Sequence, residues 1–301
     1  MTKKTKKGSD SLKIPGLIIY TAKLLQLISA KLLTRFAARL FTTPLRHKTP
    51  KREFEMDANS KQQTILVPAI DREIVAYRYG DGEKKILLVH GWSGRGTQLV
   101  KIADALLSEG FSTISFDAPA HGKSVGKRTL MPDFIASILE LEKQLGPFEA
   151  AIGHSLGGMS LLNATACGLR IKSLVTIGSG DKVSDILHDF VRQMHLRPIL
   201  SDRLRDYFES SLNGETMEGF SAYIAAKEIN IPVLVIHDND DAEVPVKCAI
   251  HIHKQLKNGQ LLLTKGLGHR KILGDTEVIE RTVLFTRETY EKTRNAIGNP
   301  Q

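Results

Sequence analysis

The run Phe148-Glu149-Ala150-Ala151-Ile152-Gly153-His154-Ser155-Leu156-Gly157-Gly158 decides how the rest of this 301-residue chain is read. It opens as a short apolar strand and passes into helical spacing from Leu156 to Cys167, with a serine at the junction. Gly153 and Gly157, two before and two after that serine, allow neighbouring backbones to approach closely. The helix start supplies free amides, Leu156 N–H foremost, where negative charge developing beside Ser155 would be stabilised. A glycine-rich turn whose serine only caps a helix fits the same letters. The surrounding chain has to choose between them.

On either side, apolar β-branched runs alternate with helical patterns. Strands are expected at Thr64–Val67, Glu73–Tyr79, Lys85–His90, Phe111–Asp117, Phe148–His154, Ile171–Gly178, Pro232–His237 and Gln260–Thr264. Helices are expected at Gln98–Leu107, Met131–Leu145, Leu156–Cys167, Val246–Leu256 and Thr276–Lys292. Continuous apolar strands separated by helices imply an α/β fold, a mostly parallel central sheet of about eight strands with helices on both faces. The first two strands have no helix between them and should pair as an antiparallel hairpin. Residues 182–229 break the alternation: they read as helical throughout, and an insertion there would form a small cap over the loops that carry chemistry.

With those elements in place, the sequence resembles the α/β-hydrolase superfamily from about Thr64 to the C-terminal helix. The motifs that carry the resemblance are Gly153-His154-Ser155-Leu156-Gly157, His90-Gly91-Trp92-Ser93-Gly94 after the third strand, and Asp117-Ala118-Pro119-Ala120-His121-Gly122-Lys123-Ser124 after the fourth. Ala120 stands where that last pattern usually has glycine. The resemblance implies Ser155 as nucleophile, with the backbone N–H groups of Trp92 and Leu156 as oxyanion donors. It implies structural roles for His90, Asp117 and His121. The order Ser, acid, His then points to Asp238-Asn239-Asp240-Asp241-Ala242-Glu243-Val244-Pro245 and to Gly266-Leu267-Gly268-His269. Registry against Val244-Pro245 selects Asp241 as the acid, with Asp240 an adjacent competitor and Asp238 in place of the usual glycine. His269 becomes the base, held in one tautomer by the acid.

What the resemblance implies chemically is acyl transfer to water, with a carboxylic ester as the first substrate class. Serine rather than aspartate at position 155 argues against dehalogenase or epoxide-hydrolase chemistry. Phe190, Leu196, Ile199, Leu200, Tyr207, Phe208 and Phe220 in residues 182–229 suggest an apolar acyl pocket, which makes a lipid ester at a membrane surface the alternative. A non-catalytic ligand receptor on the same fold is the rival from another class. No cofactor and no metal set is expected.

Charge sorts the remaining partners. The formal net charge is +9, yet residues 1–52 hold 13 basic side chains against Asp10 alone, about +12, so the rest carries about −3. The body is therefore no basic module, and no nucleic-acid partner is expected. Residues 1–55 read as a basic arm and linker, and 56–295 as the hydrolase domain. Within the arm, Ile18, Leu25, Leu32, Phe36 and Leu40 fall on one side of a helical wheel, opposite Lys23, Lys31, Arg35 and Arg39, with Leu24 and Ile28 at the boundary. The uncharged stretch Ile14–Ala22 is too short to span a bilayer, and Lys23 interrupts the core that a signal peptide needs. Residues 14–41 could instead lie on an anionic membrane or dock on the protein itself or on a second subunit in a homo-oligomer. Two cysteines, Cys167 and Cys248, suit a reducing compartment, and Cys167 should be buried. A cytoplasmic protein, peripheral at the membrane if the arm docks there, is the expectation.

Overall fold

The computed structural model describes residues 14–212 and 214–298; the lysine cluster Lys3, Lys4, Lys6, Lys7 and Lys13 lies outside them. The arm forms α1 (Gly16–Ile28) and α2 (Ala30–Phe41), and α3 (Phe54–Asn59) precedes the first strand. The strands are β1 (Lys61–Val67), β2 (Arg72–Tyr79), β3 (Lys85–Val89), β4 (Ser112–Asp117), β5 (Ala150–His154), β6 (Ser173–Ile177), β7 (Val233–Asp238) and β8 (Gly259–Thr264). Between them come α4 (Val100–Ser108), α5 (Met131–Leu145), α6 (Leu156–Ala166), α7 (Val183–Gln193), α8 (Ile199–Glu209), α9 (Ala222–Glu228) and α10 (Lys247–Gln255). After β8 follow α11 (Gly268–Lys271) and α12 (Thr276–Gly298).

The eight strands form one sheet in the order β1-β2-β4-β3-β5-β6-β7-β8. The β1–β2 hairpin and the β2–β4 pair are antiparallel, and every pair from β3–β4 to β7–β8 is parallel. Alternation along each strand sends side chains to two separate cores. Leu87, Val89, Ala151, Val233 and Val235 join the core under α5, α6, α9 and α10, whereas Ile86, Leu88, Ile152, Leu234 and Ile236 join the core under α4 and α12. Burial on both faces explains why these strands read as unbroken apolar runs.

Three expectations need correcting. The arm is two helices, because Ser29 takes an extended conformation (φ −158°, ψ 120°) and its Oγ accepts from Leu32 N at 3.4 Å to start α2. The break resets the wheel: α2 buries Leu33, Thr34, Ala37 and Ala38, and Leu32 is exposed. Residues 182–229 are not one unit. α9 packs on α6 and α10 in the helix layer of the sheet, while α7 and α8 pack together and α8 meets α2. There Phe41 packs against Phe190 (ring centroids 5.2 Å apart) and Phe208 (5.6 Å), so two of the side chains expected in an acyl pocket pack against the arm. Finally, Cys167 is exposed, since it caps the C-terminus of α6 beside Gly168 at φ +103°; Cys248 is buried.

The stretch between arm and sheet is pinned rather than loose. Arg46 donates to the carbonyls of Ala120, Ser124 and Gly126. Arg95 donates to Thr49 Oγ1 and the His47 carbonyl, and buried Glu53 accepts from Thr97. Among the described residues, no helix is long and apolar enough to cross a membrane.

Candidate active site

The junction at Ser155 is a strained turn. Ser155 sits at φ 53°, ψ −120°, a backbone region few non-glycine residues adopt, directly between β5 and α6. The strain persists because the neighbours fix it. Ser155 N donates to Ile177 O at 2.9 Å, tying the turn to the end of β6. A Cβ on Gly157 would lie 2.3 Å from Val89 O, and one on Gly153 would lie 2.6 Å from the Gly157 carbonyl carbon. Both glycines are there for close backbone approach.

The loop after β3 comes to the same place from the other side. A Cβ on Gly91 would touch the Ser155 Cβ at 3.0 Å. Two buried histidines brace this loop. His121 Nε2 accepts from Ser93 N at 3.0 Å while its Nδ1 donates to Pro119 O. His90 Nε2 accepts from Ala118 N at 3.0 Å and its Nδ1 donates to Gly91 O. Asp117 accepts from Gly96 N, Lys123 N and Tyr77 Oη, each at 2.7 Å. Ala120 keeps φ 67°, the left-handed turn that explains the usual glycine at this position. Ser93, at φ 57°, also accepts from Leu45 N at 2.9 Å, so the arm reaches the loop. Among the described residues, the amides of Trp92 and Leu156 have no protein acceptor.

The loops after β7 and β8 bring the two later residues together. His269 Nδ1 and Asp241 Oδ2 are 2.7 Å apart, and both side chains are almost fully buried. Glu243 N and Val244 N donate to Asp241 Oδ1 at 2.8 and 2.9 Å. Burial alone would raise the Asp241 carboxyl, but the His269 bond and charge and those two amides outweigh it and hold the group below its ordinary value. Asp240 turns elsewhere and accepts from Gly266 N at 3.0 Å. His154, the residue before Ser155, touches the turn that carries His269. His154 Nε2 donates to His269 O at 2.9 Å, and their rings lie 4.7 Å apart. Although Ser155 precedes the first residue of α6, its side chain makes no capping bond to that helix.

Three supporting residues escaped the sequence reading. Asp238 accepts from Thr264 Oγ1, Leu267 N, Gly268 N and Asp240 N, so one buried carboxylate shapes the turn that carries His269. Burial pushes it up, and the Gly268, Thr264 and Leu267 bonds overcome that and keep it ionised. Its only sequence signal was the departure from the usual glycine. His237, buried beneath Asp241, donates to Val244 O at 2.9 Å with Asp241 Oδ2 3.5 Å away. His154, beside the serine in the motif, is the third, through its bond to the His269 carbonyl. A cavity of about 230 Å³ lies behind the Trp92 loop, between Arg46, His47, Tyr77, Arg95, Asp117 and Lys123, and does not include Ser155.

A mostly parallel sheet with a strained serine turn, an aspartate–histidine pair and free amides at one edge defines an α/β hydrolase. The chain belongs to the alpha/beta hydrolase family, which it matches over residues 86–273. It is 36% identical over 115 residues to an uncharacterized 31.7 kDa protein of the traX-finO intergenic region of Escherichia coli, a match spanning 34% of this chain and 40% of that protein. Among solved structures it is similar to an esterase from Pyrococcus furiosus (TM-score 0.61, 18% identity, 83% of this chain and 98% of that one). It is also similar to alpha/beta hydrolase domain-containing protein 10 from mouse (TM-score 0.62, 16% identity, 77% and 99%) and to a bromoperoxidase from Bacillus anthracis (0.58, 19%, 76% and 100%). At such identities the likeness is one of fold, and an esterase beside a bromoperoxidase shows that the fold does not choose the reaction.

Proposed function

We propose that this protein is a serine hydrolase that cleaves carboxylic esters through an acyl-enzyme on Ser155. The observation that carries the reading is the 2.7 Å contact of Asp241 with His269 Nδ1, at the sheet edge where Ser155 heads α6. That contact leaves His269 Nε2 as the basic nitrogen. In the proposed reaction the Ser155 Oγ–carbonyl carbon bond forms as its proton passes to His269. The alcohol leaves with that proton, and water, deprotonated by His269, releases the acid and restores Ser155. The Trp92 and Leu156 amides would hold the negative oxygen in both halves.

A fluorophosphonate probe and short p-nitrophenyl esters test this directly. Wild type should be labelled at Ser155 and turn over ester, and Ser155→Ala should do neither. A folded wild type that is neither labelled nor active would mark a ligand receptor on a hydrolase frame.

A further inference from the structure

The arm's inward side is accounted for by packing, but its outward side is not. Ile18, Ala22 and Leu25 of α1 face the core, as does Ile14 just before the helix. The opposite arc carries Leu17 (77% exposed), Tyr20, Leu24, Leu27 (77%) and Ile28. Their spacing of three, four, three and one puts all five on one ridge along a helix of 13 residues, about 20 Å long. Five large apolar side chains in contact with water on one short helix are not ordinary surface. Lys23 flanks the ridge, and Lys31, Arg35 and Arg39 are exposed on α2 just beyond it. The sequence immediately before α1 adds Lys3, Lys4, Lys6, Lys7 and Lys13.

We infer that this ridge is a docking face for an anionic lipid bilayer, with α1 lying in the plane of the interface and Lys23, Lys31, Arg35 and Arg39 against the headgroups. The charge favours this occupant over a second copy. A two-fold pairing through the ridge would bring each copy's basic residues against the other's, with no acid on either arm helix to answer them. A bilayer rich in acidic lipid supplies the missing anions and accepts the apolar side chains together. Docking would also bring α7 and α8 toward the membrane, because Phe41 packs on Phe190 and Phe208, and Arg197 N donates to Gln26 Oε1 at 2.9 Å.

The test uses the full chain, since deleting the arm would strip the core of Leu33, Ala37 and Ala38. The protein is sedimented with vesicles of phosphatidylcholine alone or of equimolar phosphatidylcholine and phosphatidylglycerol. Binding should favour the anionic vesicles and weaken in about 0.5 M salt. Leu17→Ser with Leu27→Ser, both at exposed positions, should cut partitioning at least tenfold without changing the melting temperature. Lys23→Glu with Lys31→Glu should weaken the preference for anionic lipid, and an unchanged preference would also overturn the inference. Ser155→Ala should bind as wild type, so the inference stands or falls apart from the hydrolase reading. A wild type that stays in the supernatant, or an undiminished leucine double variant, overturns it. So does a wild-type dimer that the leucine variant converts to monomer with no loss of vesicle binding; the ridge would then belong to a second copy.

Discussion

Two adjacent carboxylates separate at the scale of single residues. Asp241 contacts His269 Nδ1 and takes two backbone amides on its other oxygen, whereas Asp240 caps the turn at Gly266. If the proposed chemistry holds, Asp241→Asn should lower kcat/KM about 10³- to 10⁴-fold by presenting the wrong histidine tautomer, and Asp240→Asn less than about tenfold. Rates of p-nitrophenyl ester turnover check the pair, and the reverse order would move the acid to Asp240. The glycines give a prediction that does not depend on chemistry. Gly157→Ala places a methyl 2.3 Å from the Val89 carbonyl, where only backbone could yield, so a loss of about 3 kcal/mol or more is expected in denaturant unfolding. The contact of Asp241 with His269 was legible because motif order survives in one dimension. Asp238, His154 and His237 were not, because each matters through a contact made only after the loops have met.

Legibility changes character at the scale of elements. All eight strands were readable, β3 to β7 because a strand buried on both faces leaves an uninterrupted apolar run, and the structure moves the strand ends by only a few residues. The arm was readable as apolar and basic but not as two helices. A wheel assumes constant rotation per residue, and the extended backbone at Ser29 violates that assumption without a proline or glycine to announce it. Assignment of residues 182–229 to one insertion failed for a related reason: nothing along the chain separates α9, which serves the sheet, from α7 and α8, which serve the arm. The contact of Phe41 with Phe190 and Phe208 makes the α2–α7–α8 group testable as a unit. Phe41→Ala should cost about 2–3 kcal/mol, below the full-burial range because Phe41 is half-buried, and should speed hydrogen exchange in α7 and α8 while leaving β3 and β5 unchanged. Uniform acceleration across the sheet would show that these helices do not open separately.

The molecule as a whole carries a set of histidines whose neutral form the fold requires. His90 and His121 each accept a hydrogen bond from a backbone amide at Nε2 and donate from Nδ1, so a proton added to either ring would remove the acceptor. Burial, with a smaller contribution from nearby positive groups, lowers His90 to about 4 and His121 and His154 to about 3 from an ordinary 6.5. Burial also lowers His237. Because the folded values lie below the unfolded one, the unfolded chain binds more protons between them. Stability contributed by these groups is complete above pH about 6.5 and drains as pH falls toward 4. Asp238 and Asp241, held below the ordinary carboxylate value, add a second loss only below about pH 4. Glu53 and Asp181, raised by burial, act in the opposite sense and offset part of the slope. The net expectation is a melting temperature that is level near pH 7–8 and falls steeply below about 6.5, ahead of carboxylate titration. Calorimetry across that range measures it. His154→Gln retains a donor for the His269 carbonyl and should flatten the dependence by up to one proton, about 1.4 kcal/mol per pH unit. A melting temperature unchanged from pH 8 to pH 5 would mean that water reaches these rings and that the loops beside Ser155 are not held by neutral imidazoles.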